Sequence, residues 1–428
     1  VTALRPYPQY KRTGIDWLPD VPSHWSIEPL GKHFSQRNST VSDADYPALS
    51  VTRAGIVPQL DNVAKTDNGE SRKLVKAGDF AINSRSDRKG SSGIADRDGS
   101  VSVITTVITP RAMDGEFVHQ LLRSEPFQEE YYRYGSGIVA DLWSTRWPAM
   151  KDIRLAVPPM DEQRDIARFL DRETAEIDAF IADQEELIGL LAERRAATIS
   201  HAVTKGLDPT VPTKPGNIES LDRIPESWKV WPLTRVAPQR VDYRGATPPK
   251  VDDGVQLITA RNVRQGFIDY ETSIEFVAAD SYLDVMSRGL PVPGDILFTM
   301  EAPLGNVALI DRTEIALAQR LVKFRVKPGV SPKFVVFAMM SDYFQQQLRS
   351  RATGSTALGI KASKLAELRL ALPGESEQLA IASAIESELI ELDAAIGDAR
   401  EAIALSRERR AALISAAVTG KIDVRGVA

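Results

Sequence analysis

Hydrophobic positions follow two regimes that alternate along the chain. Residues 161–204 and 376–419 contain no proline, and their apolar residues recur every three or four positions. That spacing lines one face of a helix. The first track reads Ile166, Leu170, Ile177, Phe180, Leu187, Leu191; the second reads Ile381, Ile385, Leu392, Ala395, Ala402, Leu413. Ala, Glu, Arg, Leu and Ile dominate both segments, and most are good helix formers. At 1.5 Å per residue each helix would be a rod of about 60 Å. Such a rod outruns a domain of about 150 residues, so the pattern predicts that the two helices pair with each other. The alternative is that each merely covers its own neighbouring domain. Phe180 and Leu187 would sit opposite the smaller Ala395 and Ala402, as antiparallel pairing of unlike helices favours. Asp161 and Ser376, each after a proline-containing stretch, read as N-caps.

The rest of the chain reads differently. Residues 21–158 and 224–373 mix short apolar runs ("SVSVITTVITP", "GDILFTM", "NVALI", "LVKFRV") with loops rich in Gly, Ser, Asn and Arg. Runs of that length bounded by turn residues predict strands. Short helices are expected at 116–132 and 333–351, so each long unit reads as an α+β domain. The stretch "LDPTVPTKPGN" (207–217), with three prolines and a glycine, reads as a linker.

The alternation is a duplication. Residues 161–206 aligned without gaps on 376–421 give 23 identities in 46 positions. Weaker echoes extend outward: "DVPSHWSIEPL" (20–30) with "RIPESWKVWPL" (223–233), "AGDFAI" (77–82) with "PGDILF" (293–298), "IRLAVP" (153–158) with "LRLALP" (368–373). The expected organisation is a first domain over 1–158, a long helix over 159–206 and a linker over 207–220. A second domain over 221–373 and a second helix with its tail over 374–428 complete it. Two copies in one order, joined through paired helices, pack naturally as an antiparallel coiled coil.

Composition narrows the chemistry. The 428 residues contain no cysteine, which excludes disulfides, thiol nucleophiles and cysteine-bound zinc. Four scattered histidines, none at i, i+4, predict no histidine zinc site. The opening "VTALRPYPQYKRTG" lacks the apolar core of a secretory signal, and no apolar run reaches membrane-spanning length. A cytoplasmic location is expected. The net charge of −5 is uneven: Lys+Arg against Asp+Glu is 20 to 19 over 1–160 and 21 to 18 over 206–374. The acidity lies in the helices, with 6 to 11 over 161–205 and 6 to 10 over 375–428. A local basic face on either long unit is therefore compatible with the sum.

The loops supply candidates for it. "NSRSDRKGSSG" (83–93) carries Arg85, Arg88 and Lys89, and "TARNVRQG" (259–266) carries Arg261, Asn262 and Arg264. Arg and Lys suit guanine edges and phosphates, and Asn suits adenine; each stretch also reads as an ordinary solvated loop. Arg53, Arg146, Arg240 and Lys361 complete the basic candidates, the last beside the glycines and hydroxyls of "RATGSTALGIK" (351–361). No GxxxxGK[ST], GxGxxG or GxSxG occurs, nor the Asn-Pro-Pro-aromatic tetrapeptide of amino-methyltransferases, and no carboxylate pair stands out. The chain reads as a binder, with no catalytic and no metal-binding residues.

Four stretches carry a family resemblance: "GIDWLPDVPSHW", "VPPMDEQRDIA", "GSTALGIKASKLAELRLALPGESEQLAI" and "RRAALISAAVTGKIDVRG". Together they resemble the specificity subunit of type I restriction-modification systems over essentially the whole chain. The first copy departs from the pattern in "GSGIVADLWSTRWPAMKDIRLAVPP", and "LPGESEQ" lacks the double proline of its counterpart. The resemblance implies two target-recognition domains that each read half of a split DNA sequence, as a non-catalytic part of a phage-defence complex. It implies that the helix pair spaces them and docks two modification subunits, through faces such as Ile166–Leu191 and Ile381–Leu413. S-adenosylmethionine, ATP and magnesium would belong to those partners and to two restriction/translocase subunits in systems that have them. A duplicated scaffold that binds no DNA is the competing expectation, favoured by the acidic net charge.

Overall fold

A computed structural model describes residues 5–59, 71–137, 143–245, 247–354 and 357–426. Contacts divide the chain into two compact units: residues 1–184 with 401–428, and residues 185–400. Each unit therefore holds one α+β domain, the near half of its own long helix and the far half of the other. No helix among the described residues is long and apolar enough to cross a membrane.

In the first unit, an antiparallel four-stranded sheet runs in the order Ser92–Ile94, Phe80–Asn83, Thr105–Pro110, Phe34–Arg37. A three-stranded sheet (Gly99–Val101, Arg72–Val75, Thr40–Val41) lies next in topology. Strands Ser26–Pro29 and Arg154–Val157 pair to bring the ends of the domain together. The second unit repeats the four-stranded order with Leu304–Leu309, Ile296–Met300, Leu321–Arg325, Gln239–Asp242, and the closing pair with Lys229–Pro232 and Arg369–Leu372. Its three-stranded sheet differs, because Val255–Ile258 pairs in parallel with Ile315–Leu317.

Each expected short helix is two. Helix α1 (Gly115–Arg123) and α2 (Glu125–Arg133) meet at Ser124, and further along the chain α4 (Pro332–Met340) and α5 (Asp342–Arg351) meet at Ser341. Both serines have extended backbone, and their hydroxyls donate to carbonyls three residues back, Leu121 O at 2.7 Å and Ala338 O at 2.6 Å. A local serine bond competes with the helical ladder and stops it. The expected linker also shrinks: Thr213–Ile218 is a strand, paired with Leu221–Pro225. Its Pro215 is tolerated because a two-stranded hairpin is all edge. The matching hairpin of the first unit is Tyr10–Ile15 with Leu18–Pro22.

The long helices are α3 (Met160–Lys205) and α6 (Glu375–Val418). They pack antiparallel in both units. In the first, Arg410 of α6 grips Asp178 of α3 with both carboxylate oxygens engaged, at 2.8 and 3.0 Å. In the second, Arg195 of α3 reaches Asp393 of α6 at 3.1 Å, and Arg194 and Thr198 reach Glu388. Arg195 with Asp393 and Arg410 with Asp178 are the same pair in the repeat, 215 positions apart with the helices exchanged. The duplication is thus expressed at the level of single ion pairs, one within each unit.

The inward track corrects the expected one. It runs Ile166, Leu170, Thr174, Ile177, Ile181, Ile188, Leu191 in α3 and Ile381, Ile385, Leu389, Leu392, Ile396, Ile403 in α6, with Leu413 half-buried near the end. Phe180 and Leu187 are 44% and 39% exposed, and Ala395 is only half-buried beside the buried Ile396. After Ile177 the seam steps by four residues to Ile181, where a step of three would give Phe180. One residue turns a side chain by about 100°, so that mis-step puts Phe180 and Leu187 off the seam, which the expected track rejoins only at Leu191. The large-against-small expectation fails for that reason.

Asp161 and Ser376 are not caps, since each lies inside its helix. Their neighbours fasten the helix starts. Glu162 accepts the Trp25 indole N–H at 2.9 Å, and Glu377 accepts that of Trp228 at 3.0 Å. Gln163 accepts from Asp114 N and donates to Pro158 O, both at 2.9 Å; Gln378 does the same with Ser331 N and Pro373 O, also both at 2.9 Å. Both tryptophans are fully buried. The helix ends are buried too. Ile199, Ala202 and Val203 join the core of the second unit, and Ile414, Ala417 and Val418 join that of the first. Gly420, at φ +74°, lies so close to Pro22 that a Cβ would meet its Cδ at 2.3 Å. Only glycine serves both the left-handed turn after the helix and that approach.

Candidate nucleic-acid interface

The basic loop of the first unit leaves the strand Phe80–Asn83. The Asn83 side chain accepts the Arg85 N–H at 3.1 Å, and a single 3-10 turn, Ser86–Arg88, follows. The Arg85 backbone bridges to Ser144, which brings Arg146 to the same place. Arg85 and Arg146 line a cleft of about 500 Å³ with Lys73, Gln36, Ser84, Thr106, Ser144, Val103, Ile104, Trp147 and Pro148. No carboxylate is among these residues. Lys73 donates to Thr105 O at 2.6 Å, and burial, then the charge of Arg146, holds its ammonium below the ordinary lysine value.

The other candidates of this unit have internal duties. Arg53 donates to Lys89 O at 3.0 Å, and its own carbonyl accepts from Arg123 at 2.6 Å. Lys89 ion-pairs with Glu129 and lies 5.8 Å from the centre of the Tyr132 ring. Arg88 is exposed, 3.7 Å from Asp87. Behind the Arg53 turn, Arg123 lies 2.9 Å from His119 Nε2. Burial, with the charges of Arg123 and Arg410, depresses His119 to about 4, so the imidazole is neutral at pH 7.

In the second unit the loop at 259–266 splits its candidates. Asn262 is fully buried: its Oδ1 accepts from Thr259 N (3.0 Å) and Oγ1 (3.1 Å), and its Nδ2 donates to Asp269 O and Thr272 O. Every polar group of that amide is spent inside the loop, so it organises the turn and presents nothing outward. Arg264 is held by Asp269 and Thr272 at 3.4 and 3.3 Å. Arg261 is exposed and lines a shallow cleft with Lys250, Glu275 and Arg320. Arg240 and Lys361 are also exposed, and Arg240 donates to Ala362 O at 3.4 Å, which places it beside Lys361.

These two pairs of positions correspond. Gln36 and Arg240 occupy the same register in the matching edge strands, and Arg146 and Lys361 are 215 apart. The bridge Arg85–Ser144 is matched by Glu301–Gly359. Glu301 there binds Arg320 at 2.6 Å. The candidates Arg85, Arg146, Arg240 and Lys361 thus gather on one equivalent face of the two domains. Lys73, Gln36, Trp147 and Arg320, which the sequence did not single out, complete it. For Trp147 the signal was present in "TRWP", an aromatic directly after Arg146.

Residues 288–396 match the family model described as the type I restriction modification DNA specificity domain. The chain is 26% identical over 287 residues to the type I restriction enzyme MjaVIII specificity subunit of Methanocaldococcus jannaschii, covering 65% of this chain and 64% of that one. It is 25% identical over 289 residues to the EcoBI specificity subunit of Escherichia coli, covering 64% and 60%. The chain is thus similar to type I restriction enzyme specificity subunits. The matched stretches span less than two-thirds of the length of those two relatives. Two solved structures share the fold. One, described as showing complex assembly and conformational transition of the type I R-M system, gives a TM-score of 0.63 at 17% identity over 93% of this chain and 98% of that one. The HsdS subunit from Thermoanaerobacter tengcongensis gives 0.51 at 14% identity over 94% and 98%. Within this chain, the specificity-domain match includes Arg320, Lys361, Glu377 and Gln378. Arg240, Arg261, Asn262, Arg264 and the whole first unit lie outside it.

Proposed function

We propose that this chain supplies the address of a type I restriction-modification complex in the cytoplasm. Each recognition domain binds one half of a split double-stranded DNA target, and the length of the helix pair sets the unread gap. The helices also dock two modification subunits, and restriction/translocase subunits join in systems that have them. Methyl transfer from S-adenosylmethionine, and any ATP- and magnesium-dependent cleavage, belong to those partners; this chain contributes recognition.

The observation that carries this reading is the division between what repeats and what varies. The Trp–Glu and Gln clamps and the Arg–Asp pairs recur in both copies, whereas the basic faces differ in every charged position except Arg146/Lys361. A common frame with two different faces is what two different half-sites require. The test is to delete one heptad from each long helix and map methylated adenines in a genome carrying the system. The expected result is a changed gap with both half-sites intact. Altered bases within the half-sites would refute it.

A further inference from the structure

The cleft of the first unit is chemically one-sided. Lys73, Arg85 and Arg146 converge on it, and its remaining polar lining is neutral: Gln36, Ser84, Thr106 and Ser144. Its walls include Val103, Ile104, Trp147 and Pro148, all of this lining being that of the described residues. Apolar walls exclude water and strengthen the field of the cations inside. Burial, and then the charge of Arg146, disfavours the Lys73 ammonium, and an anion in the cleft would offset both. The second unit lacks this arrangement, because Glu301 replaces Arg85 and neutralises Arg320.

We propose that this cleft seats a single backbone phosphate of the DNA and anchors the first recognition domain without reading sequence. The inference rests on the DNA-recognition reading above. The lining favours a phosphate over a base edge: three cations answer a charge, and among the described residues Gln36 is the one side-chain amide there to tell donors from acceptors. The seat makes the two half-sites unequal, with more of the salt-sensitive affinity on the side of the first domain.

The experiment uses the full chain assembled with its modification subunits, on its mapped target and on a scrambled duplex. Arg85→Gln and Arg146→Gln, both exposed positions, should each lower the slope of log K against log salt by about 0.9, the share of one phosphate. Both should weaken target and scrambled DNA by the same factor, and Arg146→Lys should restore the slope. A neutral methylphosphonate walked along the first half-site should weaken the unmodified complex at one linkage and leave Arg85→Gln insensitive there. Loss confined to the target sequence with an unchanged slope would make the cleft a base reader and overturn the proposal. Unchanged binding would overturn it too. A thermal shift with inorganic phosphate at constant ionic strength, together with an unaltered DNA slope, would assign the seat to a free anion instead. Failure of the unmodified complex to bind DNA would refute the recognition reading itself, a separate outcome.

Discussion

The two units handle a corresponding buried aspartate in different ways. Asp79 and Asp295 occupy matching positions just before the second strand of the four-stranded sheet. Asp79 is held by Arg37 from the edge strand, at 2.5 and 3.1 Å, and by the hydroxyl of Thr109 at 2.6 Å. Asp295 is held from the adjacent strand by Lys323 at 2.6 Å and by Arg325 at 2.6 and 2.9 Å. Burial pushes the Asp295 carboxyl up, but the hydrogen bonds from Arg325 and Lys323 outweigh it and hold it below the ordinary aspartate value. The carboxylate position is fixed by the fold, and the cation can come from whichever strand faces it. One contact that binds a domain to its helix shows no such freedom: Glu162 and Glu377 each accept the indole N–H of the corresponding tryptophan, although Glu162 also meets Tyr7 and His24. Drift is tolerated where a neighbour can compensate and absent where one geometry serves both copies.

The sharpest way to separate the two aspartates is to remove their charge. Asp295→Asn strands Lys323, whose side chain is 6% exposed, and should destabilise the second unit by about 3–5 kcal/mol, the usual cost of breaking a buried pair. Asp79→Asn strands Arg37, which is 24% exposed and can turn toward water, so its cost should be smaller, about 1–3 kcal/mol. Urea unfolding with hydrogen exchange resolved by unit measures both, and equal costs would break the comparison.

His119 offers a difference in pH. Its value is about 4 in the folded unit, against about 6.5 when unfolded. Protonation therefore favours the unfolded chain. The contribution is fully present above about 6.5, is lost as pH falls, and levels off once about 4 is passed. The matching position of the second unit is Val336, so only the first unit should lose stability over this window, by a few kcal/mol at most. His119→Gln should flatten the dependence in thermal unfolding between pH 7 and 4. A slope unaffected by that substitution would assign it to other groups.

The smallest effects belong to the ion pairs across the helices. Arg410→Ala and Arg195→Ala remove half-exposed partners and should each cost under about 1 kcal/mol. The bidentate Arg410 should cost more than Arg195, and a double-mutant cycle with Asp178 or Asp393 measures each pair.

Duplication, long helices, α+β units and the basic loops were all legible in the chain, because each is written in local spacing or in self-similarity. The helix pairing was legible in outline and misread in detail, since nothing in "IDAFIAD" (177–183) tells whether Phe180 or Ile181 follows Ile177 on the seam. The partner helix decides that. The repeated ends at 193–206 and 408–421 place apolar residues in the core of the opposite copy, as Val203 and Val418 do, both fully buried.

The candidate face shows the same limit. Arg85 and Arg146 were visible as basic residues in flexible-looking sequence, but that they share a cleft with Lys73 depends on a bridge between residues 85 and 144. Asn262 carried the chemistry of an adenine reader and is consumed by its own loop. The sequence by itself determined that the chain is two copies of one plan, because identity at a fixed offset survives without any folding. Which residues face inward, and which charges stand free, was decided only in three dimensions. Burial and charge pairing are properties of neighbours, and those range from 3 positions away, as Thr259 is from Asn262, to 232, as Asp178 is from Arg410.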